Sequence, residues 1–474
     1  MSKNNGSRSA WTDARLGDLV EPRETRNPSK EGAGEFLYVD IDALDNRRQR
    51  IAEPKRLPKD VAPSRARMAL REGDVVFSLV RPYLKNIAIV PPELDGSVGS
   101  TAYCVLRPKE GVDSRFLFYQ LIQDRLIHSI PTYGTSPPAA RDEEFLNTRI
   151  RLTSPKEQAR VADKLDELSS DLDAGVTALE RAKANLARYR AAVLKAAVEG
   201  KLTEEWRRAN PKVEPASKVL ERILAARMKR WQGHQLAKYE AKGVRAPKGW
   251  KDAYPLPDAP DRHELPTLPP TWVWTTVDAL GDVAGGVTKG QRTKARVDRV
   301  EVPYLRVANV QNGFLDLGVM KTIPVALADL DRYRLVPGDV LFTEGGDRDK
   351  LGRGWVWRGE IDPCIHQNHI FRLRLLTDEC VPELVSVHGN TFGRLWFQRA
   401  GKQSVNLASV NQTMLKRFPV PLAPVAEQRV IGQRLEQLGS TVQHVEQQLL
   451  RASIGAARLR QAILAAAFSG GLVA

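Results

Sequence analysis

The chain has 474 residues, 42% of them hydrophobic, and carries 72 Lys and Arg against 57 Asp and Glu, a formal net charge of +15. The hydrophobic fraction excludes a disordered chain, and the length exceeds one ordinary core and points to about three domains. The basic excess calls for an acidic partner, nucleic acid before a membrane surface, because clustered Lys and Arg gain free energy by releasing counterions from a phosphate backbone.

The opening MSKNNGSRSA lacks the apolar stretch of a secretory signal. A first mixed α/β region is expected over 1–153. Its β-rich runs, bounded by Gly and Pro, fall at 36–41, 75–79, 87–90 and 102–106, with a helix near 114–127. A long helix over 154–202 follows. Ser154 can cap it, Pro155 suits the first helical position, and Glu157 can return a hydrogen bond to the cap. Its apolar residues Val161, Leu165, Leu168, Leu172, Val176, Leu179, Leu186, Tyr189, Val193 and Ala196 form a heptad-like seam, irregular near Val176, and Gly200 is a natural stop.

Residues 203–271 read as a connector. An amphipathic helix is expected over 215–242, with Val219, Leu220, Ile223, Leu224, Met228 and Trp231 on its apolar side. A proline-rich, extended stretch follows over 246–271. The connector is either a spacer or a docking surface for a partner subunit. A second α/β region occupies 272–422, with strands at 302–307, 340–342, 354–357 and 369–375 and a helix near 380–397. A second long helix occupies 423–474. Its seam, Ile431, Leu435, Leu438, Val442, Val445, Leu449, Ala452, Ala456, Leu459, Ile463 and Ala466, alternates spacings of four and three. Ala423 stands where the first copy has a capping serine, so this cap is weaker. No run of about 18 apolar residues occurs, so no membrane crossing is expected.

The two halves are copies. From Glu157/Glu427 onward the long helices align without a gap, through Gln158/Gln428, Leu165/Leu435, Leu179/Leu449, Arg188/Arg458 and Leu194/Leu464. The preceding regions correspond more loosely, as in Leu16-Gly17-Asp18 with Leu280-Gly281-Asp282, and Gly73-Asp74-Val75-Val76-Phe77 with Gly338-Asp339-Val340-Leu341-Phe342. A preserved frame therefore carries two diverged faces. At 1.5 Å per residue, each helix of about 45 residues spans roughly 65 Å. Two such seams in one chain are expected to bury each other as an antiparallel pair.

Familiar catalytic signatures are missing. None of the Pro-Pro pairs at Pro91, Pro137 and Pro269 sits in an amino-methyltransferase context, and there is no phosphate-binding GxxxxGK[ST] loop. Cys104, Cys364 and Cys380 form no CxxC pair, which disfavours a disulfide framework or zinc site and fits a reducing cytoplasm. His366 and His369 lack nearby acidic or cysteine ligands and read as hydrogen-bonding or packing residues.

Two loops lead into the long helices: Tyr133-Gly-Thr-Ser-Pro-Pro-Ala-Ala140, running on to RIRLTSPKEQ, and Gly401-Lys-Gln-Ser-Val-Asn-Leu407, running on to FPVPLAPVAEQ. With GDVVF and GDVLF, RPYLKNIAIV and GDRDKLGRG, and TAYCVLRP and HQNHIFRLRL, their order resembles the specificity subunits of type I restriction–modification systems, twice over and across nearly the whole chain. The first loop departs from the family pattern, with Ala139-Ala140 and LTSP where a polar-then-Leu pair and PLPP are usual. The resemblance implies an α+β fold of two target-recognition domains spaced by an antiparallel pair of helices with pseudo-twofold symmetry. Each domain would read half of a bipartite double-stranded DNA site. Two modification subunits carrying S-adenosylmethionine and two ATP-dependent translocase/nuclease subunits would complete the complex, with Mg2+ serving the latter. This chain would bind no cofactor and catalyse nothing. The competing readings are a coiled-coil scaffold without sequence readout and an enzyme with a cryptic nuclease or methyltransferase site.

Contacts to phosphate call for Lys, Arg and small hydroxyl loops, and base reading for Arg, Lys, Asn and Gln. On that chemistry the DNA-binding candidates are Arg47, Arg48, Arg81, Lys85, Thr135 and Ser136 in the first region. In the second they are Lys289, Arg292, Lys294, Arg348, Lys350, Arg353, Lys402, Gln403 and Asn406.

Overall fold

Short β-branched and aromatic runs separated by Gly and Pro build small sheets in both regions of the chain. The computed structural model describes residues 11–134, 137–263, 265–288, 298–346, 351–400, 402–403, 408–469 and 471–472. Two units emerge, one of Met1–Ala182 with Gln447–Ala474 and one of Lys183–Glu446. Each contains one β-rich region and parts of both long helices, Pro155–Val198 and Val425–Phe468.

In the first unit, strand Thr12–Arg15 pairs antiparallel with Arg149–Leu152, Thr12 opposite Leu152, which ties the start of the region to the foot of the first long helix. A four-stranded sheet runs in the order Lys55–Pro58, Glu35–Val39, Val98–Ser100, Ala66–Ala69, with its central pair parallel. A three-stranded antiparallel sheet places Val75–Ser78 between Tyr103–Leu106 and Ile87–Ile89. The core gathers Phe77, Leu106, Phe116 and Phe145 from this region. Val161 and Leu165 join it from the start of the first long helix, and Leu464, Ala467 and Phe468 from the end of the second. The long helices therefore meet start to end. Arg460 pairs with Asp173 across them, and Arg151 donates to the Phe468 carbonyl at 2.8 Å.

The second unit repeats the plan. Val273–Thr276 pairs with Pro419–Leu422, Val273 opposite Leu422. A parallel contact joins Tyr304 to Ile365, as Tyr38 joins Val98 in the first unit. The order Gly281–Gly285, Ile370–Leu375, Val340–Thr343, Gly354–Val356 contains the counterpart of the first unit's three-stranded sheet. The opposite ends of the long helices meet here, with Ala197 packed in one cluster with Ile431.

The helix expected over 114–127 is two helices, Ser114–Leu121 and Asp124–Ser129. The one expected over 380–397 is Pro382–His388 and Arg394–Ala400, joined by a wider-wound turn at Gly389–Gly393. The seam residues Val161, Leu165, Ile431 and Val442 are buried, while Tyr189, Val445 and Leu459 are 51%, 37% and 52% exposed. A helix of 3.6 residues per turn drifts about 20° per heptad from a strict 3.5 repeat, so one straight stripe cannot stay covered along its length.

The connector folds back on its neighbour. Its helix, Ala216–Ala241, buries Ala216, Val219 and Ile223 against Val277, Leu280 and Leu422. Trp231 stacks on Trp250 at 5.7 Å and meets Tyr254 edge-on, and Arg227 donates to the Pro255 carbonyl and to the Asp278 carboxylate. Trp274 donates to the Pro266 carbonyl. The proline-rich stretch is thus anchored at both ends to the second unit. Among the described residues no helix is long and apolar enough to cross a membrane.

Candidate nucleic-acid interface

Two repeated motifs build the frame under the candidate loops. In each Gly-Asp pair the glycine takes a left-handed conformation, with φ 81° at Gly73 and 94° at Gly338. This turns the chain so that the aspartate points inward. Asp74 is 1% exposed and Asp339 0%. Asp74 accepts from the Arg71 amide and, through both oxygens, from Arg107 at 3.0 Å. Asp339 accepts from the Val336 amide and from Arg374 at 2.7 Å. The carboxylate raises the pKa of each arginine, in Arg107 and Arg374 alike. Each pair locks the strand that leads to a candidate loop.

The second motif is the glutamine one turn into each long helix. Gln158 accepts from the Asp113 amide and donates to the Gly111 and Thr153 carbonyls. Gln428 makes the matching set with Val381, Glu379 and Ala423. The neighbouring glutamates differ. Glu427 is fully buried and accepts from Thr203, Arg207 and Trp272, whereas Glu157 is partly exposed beside Arg160.

On this frame the loops converge in the same way in both units. After strand Val75–Ser78, Val80 bridges Ala139, which bridges Tyr133, and the Arg81 amide donates to the Pro138 carbonyl at 2.9 Å. After strand Val340–Thr343, Gly345–Gly346 pairs with Ala408–Ser409, which pairs with Lys402–Gln403. The Ala140 amide donates to the Leu79 carbonyl, and the Val410 amide donates to the Glu344 carbonyl. The turn after the Gly-Asp strand and the loop before the long helix are therefore joined in each unit, by isolated bridges in the first and by a small three-stranded sheet in the second. Sequence separation hides this juxtaposition.

Arg81 is exposed on that turn. Lys85 closes the turn, but its ammonium lies 2.5 Å from Asp124. Arg47 and Arg48 are exposed at the tip of a hairpin, Leu44–Asp45 with Arg50–Ile51, where both their amides donate to the Asp45 carboxylate. Ile51 packs against the core that holds Ala88 and Val90, so this hairpin stands beside the strand following Lys85. The second unit has a matching hairpin, Val310–Gln311 with Phe314–Leu315, turned by Asn312-Gly313. That two-residue loop suits a tight hairpin turn, and Phe314 is 54% exposed beside it. The Asn-Gly pair was the available signal for this hairpin, which the strand assignment from sequence missed. Arg353 is half-buried, and its guanidinium donates to the Val307 carbonyl at 3.1 Å, bracing the second unit from within. Lys402 and Gln403 lie in a described strand, but their side chains do not belong to the described set. Thr135, Ser136, Lys289, Arg292, Lys294, Arg348, Lys350 and Asn406 lie outside the described residues.

The cysteines are core residues. Burial pushes the thiols of Cys104, Cys364 and Cys380 up to about 12, so they remain protonated. Among the described residues no group of three His, Cys, Asp or Glu could hold a metal. His366 is buried and its Nδ1 donates to the Ile370 carbonyl at 2.9 Å, while His369 pairs with Glu344 at 2.6 Å.

The profile of the type I restriction modification DNA specificity domain matches residues 8–181. A solved chain from work on the complex assembly and conformational transition of the type I R-M system is similar at 25% identity, covering 97% of this chain and 98% of that one with a TM-score of 0.65. The chain is similar to the type I restriction–modification specificity subunits. Relatives among these subunits include that of the EcoDI enzyme of Escherichia coli, 26% identical over 72% of this chain and 66% of its own length. The specificity subunit of EcoKI from Escherichia coli strain K12 is 25% identical over 79% of this chain and 69% of its own length. These alignments span about two thirds of the relatives' lengths. Like them in fold, the chain has the two β-rich regions with long helices that its internal repeat requires.

Proposed function

We propose that this subunit reads a bipartite, asymmetric double-stranded DNA site without catalysing a reaction, using residues 1–153 for one half-site and 272–422 for the other. The observation that carries the reading is one frame repeated under two different tips. The buried Asp–Arg pairs and the glutamine clamps recur, while the hairpin tips are Arg47-Arg48 in one unit and Asn312-Gly313 in the other. Identical tips would read a palindrome. Different tips read two different half-sites. Base contacts specify and phosphate contacts position; the exposed Arg47, Arg48 and Arg81 supply the charge for both, and the loops of the second region do the same at the other half-site.

The paired long helices act as the spacer and as the platform for two modification subunits, which bind S-adenosylmethionine and methylate adenine. Two translocase/nuclease subunits add ATP- and Mg2+-dependent cleavage. The test is reconstitution. The purified chain with S-adenosylmethionine, ATP and Mg2+ should neither methylate nor cut DNA, and methylation should require the modification subunit. Modification or cleavage by the chain alone would instead establish a cryptic enzyme.

A further inference from the structure

The turn after the first Gly-Asp strand presents two apolar side chains to solvent. Tyr83 is 53% and Leu84 39% exposed. They sit between Arg81 and Lys85, both left-handed, with φ 51° and 54°. Residues with a Cβ seldom adopt this conformation, and such outliers persist where surrounding contacts impose them, often at functional sites. The contacts here are specific. Pro82 is buried beneath the turn, the Leu84 amide donates to the Arg81 carbonyl, the Lys85 amide donates to the Pro82 carbonyl, and the Lys85 ammonium is held by Asp124. The chain therefore holds an apolar tip outward in a fixed shape.

Singly exposed apolar residues are ordinary. This pair differs in its setting. It adjoins exposed Arg81, and the Arg81 amide is bonded to the loop carrying Tyr133, which is 43% exposed with the Arg141 guanidinium 4.3 Å from its ring centre. A cation beside the tip and an aromatic ring on the loop bonded to it both suit a nucleic-acid surface. At the corresponding positions of the second half the sequence reads Gly346-Asp347-Arg348-Asp349-Lys350, so Pro-Tyr-Leu is replaced by Asp-Arg-Asp. Leu84 has no hydrogen-bonding group in its side chain. On the groove edges of DNA the one apolar group it can contact is the thymine 5-methyl.

We propose that the Tyr83–Leu84 tip reads a thymine methyl in the half-site of the first region, an apolar contact that the corresponding sequence of the second region, Asp347-Arg348-Asp349, does not offer. This inference rests on the function proposed above. Its test combines sequencing of methylated sites with binding. In cells carrying the full system, Leu84→Ala and Tyr83→Ala should relax one A·T position in the first half-site and leave the second half-site unchanged. In the reconstituted methyltransferase, replacing that thymine by deoxyuridine, which lacks only the methyl, should weaken wild-type binding about fourfold, the equivalent of about 0.8 kcal/mol. The Leu84→Ala complex should bind both duplexes equally. Equal wild-type affinity for the two duplexes, or an unchanged first half-site in both variants, overturns the inference while leaving the two-part readout standing. Absence of any two-part methylated motif overturns both.

Discussion

At the scale of single residues, the repeat shows which side chains the frame requires. Asp339 is fully buried and holds both Arg374 and the Val336 amide. Removing one partner of such a pair strands the other charge, a loss of roughly 3–5 kcal/mol. Asp339→Ala should therefore lower stability by about that amount in urea denaturation, and Asp74→Ala should cost less, because Arg107 keeps Glu24 at 2.9 Å. The Gly-Asp pairs were legible in the sequence as repeats, but their role was not. Arg107 and Arg374 lie more than thirty residues downstream, and only sheet pairing brings them back. For the same reason sequence chemistry nominated Arg353, whose side chain the fold turns toward a backbone carbonyl.

Two buried histidines make a pH prediction. Burial lowers His366 to about 4 and His388 to about 3, and each donates one ring N–H to a backbone carbonyl. In the unfolded chain they take up protons near pH 6.5, well before the folded form does. Their stabilisation is thus complete above pH 6.5 and is lost as the pH falls from there through the folded values. Thermal unfolding should shift downward between pH 7 and 4.5, and His388→Gln, which keeps a donor, should flatten that dependence.

At the scale of elements, the long helices were the most legible part. Their seam spacing and the run from Glu157/Glu427 placed them to within a few residues of Pro155–Val198 and Val425–Phe468. The hairpin at Leu44–Ile51 was not legible, because two-residue strands are too short to show alternation. The connector helix showed an apolar side, but the sequence could not say what covers it. The second unit does, so Val219→Asp should destabilise that unit, and melting of the full chain should register the loss, whereas a free spacer would tolerate the change. The rods make a geometric prediction. Inserting one heptad after Leu179 and one after Leu449 keeps the seams in phase and lengthens the pair by about 10 Å. At about 3.4 Å per base pair, the spacer between half-sites should grow by about three base pairs with both half-sites unchanged.

At the scale of the whole molecule, the sequence showed duplication, and the structure shows where the copies agree. Agreement lies in the buried ion pairs, the glutamine clamps and the backbone pairing of two loops, through isolated bridges in one unit and a small sheet in the other. Divergence lies at the tips. The sequence could not show that residues 79–85 meet residues 133–140, so its candidates stood as separate clusters, whereas the fold joins Arg81 to the second loop through the Pro138 carbonyl. On the proposed function, one frame carries two different readers. Sequencing of adenine methylation in cells carrying the full system tests it most directly. The expected result is one two-part motif with unlike halves and a fixed spacer, of which one half alone changes when residues 272–422 are exchanged for those of a related specificity subunit. A palindromic motif, a continuous one, or a change in both halves on that exchange would contradict it.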